Sequence, residues 1–265
     1  MGFSLTPMVK NLLIGTIIMF LLQNLFTFIN PYLSLYHFLS PHFLPFQLVT
    51  YIFLHGSLGH IFSNMIGLVV FGPMLERVWG GGRFLVFYLL TGIGAGLIQN
   101  AINHYEFVQM QEAANQYLTA PSAINLVDYF RDHLSGAYQF NPQFLEDFEK
   151  NPGNAEYIRE SKQLVLRSVD EFINNPNMRT VGASGAVFGI MAAFALLFPN
   201  TELFLLFIPF PIKAKYFVIL YGVMEYFSGI QRTPGDNVAH FAHLGGMFFG
   251  FILVKIWGTD KKRFY

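Results

Sequence analysis

Residues 181–198 read VGASGAVFGIMAAFALLF. The run is apolar over nearly the roughly 20 residues that a helix needs to cross a bilayer. Its one polar side chain is Ser184, set between Ala183 and Gly185 at the start of the run. Small residues and serines in membrane helices usually serve packing. A serine at the lipid–water boundary can also be a nucleophile, provided the chain supplies a base and donors for an oxyanion.

The composition agrees with a membrane setting. Of 265 residues, 53% are hydrophobic and 12% charged, against about a quarter charged in soluble domains. Mean hydropathy is +0.42. The 31 phenylalanines suit lipid contact and interfacial anchoring. A formal net charge of zero gives no reason to expect nucleic-acid binding. With no cysteine, disulfides, thiol nucleophiles and Cys metal sites are excluded.

Six stretches have spanning character: 11–29, 60–78, 84–103, 181–198, 214–230 and 238–257. The first is read as a retained helix, since its apolar run is too long for a signal peptide and no small-residue cleavage site follows. Residues 203–212 read as a short apolar approach broken by Pro209 and Pro211. The fold class is therefore an all-α, polytopic membrane helical bundle. Six spans put both termini on one side. Lys10, Arg77, Arg83, Lys213, Lys215, Lys255, Lys261, Lys262 and Arg263 fall on that side, and only Arg232 in the short opposite loops. By the positive-inside rule the termini are cytoplasmic and residues 104–180 extracytoplasmic. The setting expected from this reading is a bacterial inner membrane.

Residues 104–180 form the one change in composition, with 11 acidic against 6 basic side chains. The chain thus divides into core helices 1–103, an insertion 104–180 and core helices 181–265, the first and last forming one membrane domain. Asn141-Pro142 and Asn154 read as helix starts. Ile158, Val165, Val169, Phe172 and Ile173 follow helical spacing. A helical cap resting on the membrane domain is the plainer reading; a lid or partner-docking surface is the other.

Chemistry concentrates at one end of three spans. His240 and His243 share a helix face, and Gly246 and Gly250 continue that of His243. Gly185 and Gly189 carry the same small-residue spacing just after Ser184. Two such seams allow close helix approach and would bring His243 to Ser184 as general base. His60 and Asn64 lie one turn apart on the second span and could donate to an oxyanion, with the Ser184 N–H as a third donor. An imidazole base is lost on protonation, so activity is expected to fall in acid.

These residues resemble the rhomboid family of intramembrane serine proteases. GASG at 182–185 is similar to its GxSG, HGSLGHIFSN at 55–64 to its HxxxxHxxxN, and HLGGMFFG at 243–250 to its HxxGxxxG. PFQLVTYIFLH and LERVWGGGRF flank the second span in the same order. The resemblance implies Ser184 as nucleophile, His243 as base in a dyad without a carboxylate, and His60, Asn64 and the Ser184 amide as oxyanion hole. It makes Gly182, Gly185, Phe188, His55, Gly246 and Gly250 supporting residues. It implies membrane-protein substrates, typically single-pass, and neither metal nor cofactor. Phe188 and Phe46 stand where the family often has Tyr and Trp.

Other assignments compete. His240 is an alternative base, Asp236 reads as a cap, and Glu76 and Arg77 read as structural, holding the Gly80–Gly82 loop. Glu225, an intramembrane carboxylate, reads as bonding a helix terminus near the external end. A metal site lacks HExxH and a suitably spaced carboxylate. A catalytically silent relative that binds or escorts membrane proteins is the second class of function; retention of Ser184, His243 and Asn64 speaks for the protease.

Overall fold

Each apolar run becomes a helix. The structure is a computed structural model that describes residues 4–134, 141–176, 178–204, 210–231, 236 and 238–257. Pro209, Arg232, Lys261, Lys262 and Arg263, used in the topology reading, lie outside the described residues. The helices are α1 (Pro7–Leu25), α2 (Ile29–Leu33), α3 (Gln47–Thr50), α4 (Leu58–Trp79), α5 (Gly81–Thr119), α6 (Ala123–His133), α7 (Pro142–Lys150), α8 (Ala155–Asn174), α9 (Ser184–Leu197), α10 (Ala214–Gln231) and α11 (His240–Trp257). A 3₁₀ turn, Tyr51–Phe53, follows α3.

Four of them, α1, α4, α5 and α11, are long and apolar enough to cross a membrane. Helix α9 is apolar but has only 14 residues. Helix α10 has 18 and carries Lys215 and Glu225. The approach to α10 is a short antiparallel ladder, β1 (Glu202–Leu203) with β2 (Ile212–Lys213), rather than a purely apolar run. Helix α9 is the hub: it packs on α4, α5, α10 and most extensively α11, and ten of its residues are buried.

Helix α5 differs from its predicted span of 84–103. It runs unbroken for 39 residues, about 58 Å at 1.5 Å per residue, roughly twice the hydrocarbon thickness. The change at His104 therefore marks a change of surroundings along one helix. Its distal half packs on α6 and α8 around a second core of Met110, Tyr117, Leu126, Phe130 and Val165, with α7 packed on α6 and α8. Asn141 and Asn154 cap α7 and α8, accepting from the Gln143 and Glu156 N–H groups at 3.0 and 2.8 Å.

The Glu76 carboxylate caps α1. It accepts from the Met8 and Val9 N–H groups at 2.9 and 2.8 Å and from the Thr6 hydroxyl. The sequence reading placed Glu76 on the Gly80–Gly82 loop, but only its backbone carbonyl serves that loop, through the Gly80 N–H. Four orphan N–H groups at a buried helix start need such acceptors.

His55 ties α1 to the start of α9. Gln23 brackets its backbone, donating to the His55 carbonyl at 2.7 Å and accepting from its N–H at 3.0 Å. Its Nε2 accepts from the Ala183 N–H at 3.5 Å. Burial, reinforced by the nearby His60, pushes this imidazole from 6.5 to about 4. The folded protein thus holds His55 neutral while the unfolded chain takes up a proton below 6.5. Stability should be unaffected above that pH and lost as the pH falls from 6.5 toward about 4. Thermal unfolding in detergent across this window should show that loss, and His55→Gln should flatten it.

The α9–α11 seam is closer still. A Cβ on Gly246 would fall well inside contact distance of the Gly185 carbonyl oxygen, and one on Gly250 would lie 2.6 Å from that of Gly189. No side chain can relax there, since the obstacle is backbone. Gly246→Val should therefore cost more than about 3 kcal/mol or prevent folding. Gly15→Ala in α1, with nothing within 4 Å, should be nearly neutral in the same unfolding assay.

Candidate active site

Ser184 is the first residue of α9, so its N–H is one of the first-turn donors that have no partner within the helix. The turn before it is fixed from two sides. The Gly182 N–H donates to the Tyr51 carbonyl at 3.0 Å, and the Ala183 N–H to His55. Gly182 has φ +130°, and a Cβ there would lie 2.6 Å from Cε1 of His60. Glycine is required both by the backbone and by the imidazole lying over it.

His60 and Asn64 come from the first two turns of α4, whose start is capped by Ser57 Oγ accepting from the His60 N–H at 3.1 Å. Nδ1 of His60 accepts from the Gly56 N–H at 3.4 Å, so the ring proton belongs on Nε2, the nitrogen on the Gly182 side. Asn64 is buried, and its Nδ2 has no hydrogen-bond partner among the described residues. A buried amide donor without a partner is costly.

On the other side of the cleft, the His243 ring stacks on Phe188, centroids 4.2 Å apart and planes within 6°. Phe188 packs in turn on Tyr221, centroids 4.9 Å apart. Ser184, His243, His60 and Asn64 all line one open cleft of about 920 Å³. Gly182, Gly185 and Phe188 line it too, while His55 supports it from beneath and Gly246 and Gly250 from the α11 seam.

The main departure from the sequence reading is Glu225. It does not bond a helix terminus: buried on α10, its Oε2 lies 2.8 Å from Nδ1 of His243 and 2.6 Å from Nδ1 of His240. The expected dyad without a carboxylate therefore has a carboxylate on the far side of its histidine. Asp236 accepts from the Val238 N–H at 2.9 Å, as a capping residue would, and its other oxygen lies 2.9 Å from Nε2 of His240. Both ring nitrogens of His240 are thus engaged by carboxylates, leaving neither for Ser184. The one signal for Glu225 in the sequence was an acid inside a span; its partners sit on another helix, which no local spacing displays.

Glu225, His240 and His243 also offer three donor atoms within 4.8 Å of one another. The carboxylate found missing from a metal set by spacing alone is thus supplied across helices. As the atoms stand, they hydrogen-bond one another directly.

Comparison with known proteins points the same way as the motifs. The family model of the Rhomboid domain matches residues 43–109 and 163–259, leaving out most of the insertion. The chain is 30% identical over 234 residues to an uncharacterised mitochondrial rhomboid protein of Schizosaccharomyces pombe, covering 82% of this chain and 55% of that protein. It is 30% identical over 202 residues to the mitochondrial rhomboid-like protein 12 of Arabidopsis thaliana, covering 75% of this chain and 42% of that one. A shorter match, 38% over 53 residues and about a fifth of each chain, is to the chloroplastic rhomboid-like protein 11 of the same plant. The chain spans about half the length of the first two relatives. With the domain matched over well over half of its residues, on both sides of the insertion, this membrane protein belongs to the rhomboid family.

Proposed function

We propose that this protein is an intramembrane serine endopeptidase that cuts membrane-protein substrates, single-pass ones first among them, in or near their transmembrane helices. The observation that carries this reading is the meeting of Ser184 and His243 in one open cleft, across a seam that only glycine permits. In this reaction His243 takes the Ser184 proton as the hydroxyl oxygen attacks the scissile carbonyl. The negative charge that develops on the carbonyl oxygen is met by the Ser184 N–H, the Asn64 amide and the His60 Nε2–H. His243 then passes the proton to the leaving amine, and water admitted by the cleft hydrolyses the acyl-enzyme.

The orphaned Asn64 amide supports this assignment, because an unpaired buried donor gains a partner only when an oxyanion forms. The lipid bilayer is the second partner, since exposed apolar side chains such as Leu21, Phe62, Ile219 and Ile256 cover the helices. The reading includes both termini on one side and the cleft on the other, from the distribution of Lys and Arg. Two relatives carry the word mitochondrial in their names, which gives the expected bacterial inner membrane no support, so the proposal is confined to sidedness.

A catalytically silent relative that binds or escorts membrane proteins is the competing reading, and one experiment separates the two. Detergent-purified protein should react with a fluorophosphonate probe at Ser184, and Ser184→Ala and His243→Ala should abolish the labelling. Folded wild-type protein that does not label would favour the silent binder. Asn64→Ala and His60→Ala should each slow labelling by about 10²-fold while leaving the thermal transition in place. Labelling at the wild-type rate in both would remove the oxyanion role from these residues.

A further inference from the structure

The polar groups behind His243 form a chain that the proteolytic reading alone does not use. From the cleft outward they run Ser184, His243, Glu225, His240, Asp236, contributed by α9, α11, α10, α11 again and the segment before α11. One oxygen, Oε2 of Glu225, sits at hydrogen-bond distance from Nδ1 of both histidines, and Oδ2 of Asp236 from Nε2 of His240. Glu225 is 6% exposed and His243 8%, so these contacts are made out of water. We propose that Glu225 is the positioning residue of the active site, holding His243 in the Nδ1–H tautomer and orientation that aim its Nε2 lone pair at Ser184, with His240 as a fixed imidazolium that keeps Glu225 charged.

The tautomer follows from donor counting. A carboxylate only accepts, so Nδ1 of His243 must carry the proton to bond Oε2, which leaves Nε2 as the basic nitrogen. His240 faces carboxylate oxygens from both ring nitrogens. It satisfies both only by donating from both, which is the charged form. The charges then alternate: Asp236 negative, His240 positive, Glu225 negative. When His243 takes the Ser184 proton, the charge it gains lies beside Glu225, already in place. A buried carboxylate next to an apolar stack would be costly alone; His240 is what makes it tolerable. Among the described residues, the other titratable groups on this cleft are Tyr221 on α10, whose ring lies against Phe188, His60 on α4, Tyr51 in the 3₁₀ turn and Arg179 ahead of α9. The hydrogen bonds of Glu225 among the described residues go to His240 and His243.

The inference rests on the proteolytic reading, and the test is arranged so that the two fail separately. Fluorophosphonate labelling rates are measured against pH for wild type, Glu225→Gln and Glu225→Asp. Glu225→Gln should lower the plateau rate by about 100-fold and move the acid limb of the profile to lower pH, because the charge that stabilises the imidazolium is gone. Glu225→Asp, which keeps the charge on a shorter stem, should recover part of the rate and return the limb toward wild type. A purely structural role for Glu225 would lower the amplitude of labelling without moving the limb, and would overturn the proposal. So would loss of wild-type labelling in EDTA with recovery on adding zinc, which would make the three donors a metal site.

The second measurement does not depend on activity. Histidine ¹⁵N spectra of wild type at neutral pH should show His243 as the Nδ1–H tautomer and His240 protonated at both nitrogens. Glu225→Gln should abolish the tautomer preference. A wild-type protein that fails to label but shows these spectra would sink the protease reading and keep the positioning of His243. Spectra with His243 in the Nε2–H tautomer, or unchanged in Glu225→Gln, would sink the positioning whatever the labelling.

Discussion

Everything in the site depends on how closely α11 lies against α9. The two helices touch backbone to backbone at Gly246 on Gly185 and at Gly250 on Gly189. Association of helices in lipid gains nothing from the hydrophobic effect and relies on packing and polar contacts. A backbone seam is where such packing is densest. It also fixes the distance and rotation between the two helices with no flexible side chain between them. Ser184 lies one residue before Gly185, and His243 one turn before Gly246, so both inherit that precision from the seam. A third helix closes the arrangement: a Cβ on Gly189 would meet Thr91 of α5, whose hydroxyl is bonded to the Phe87 carbonyl at 2.8 Å.

The second constraint is the cost of polar groups in an apolar surrounding, and the molecule meets it unevenly. Glu76 saturates its carboxylate on the α1 start. Gln23 saturates its amide on the His55 backbone. Glu76 and Gln23, engaged at both of their polar ends, are braces, whereas Glu225 shares one oxygen between the two histidines behind the cleft. Asn64, at a similar burial, keeps an idle donor. Buried polar atoms of Thr16, His37, His55, Tyr88 and Tyr117 also have no hydrogen-bond partner among the described residues, but of these six groups only Asn64 lines the cleft.

The bundle was legible in the sequence because lipid imposes length and apolarity on every span, and the motif glycines and histidines repeat at helical spacing. Helix starts at Asn141 and Asn154 were legible because capping is local chemistry. What escaped was cross-helix. The continuation of α5 past His104 depends on a second core built with α6 and α8, which no feature of residues 104–119 announces. The partners of Glu225 lie 15 and 18 residues away on another helix. A local reading therefore assigned it to the nearest helix end. Glu76 was placed on its own loop for the same reason, although its carboxylate reaches α1 some 67 to 70 residues earlier.

The length of α9 resolves the tension in a serine that must meet both water and lipid. Fourteen residues give about 21 Å of helix, against a hydrocarbon core of about 30 Å. A helix this short cannot carry Ser184 to one surface while its other end reaches the opposite one. Under the proposed sidedness, with its C-terminal end near the side marked by Lys213 and Lys215, which follow on the β2 strand and the start of α10, its N-terminus would fall several ångströms below the far surface. The cleft of about 920 Å³ above it, walled by α4, α10 and α11, would then stand where lipid would otherwise be. On the proteolytic reading, the short helix is the element that would let water descend to the depth of a substrate's transmembrane segment. The glycine seam, by holding α11 against it, keeps His243 at the same depth as Ser184.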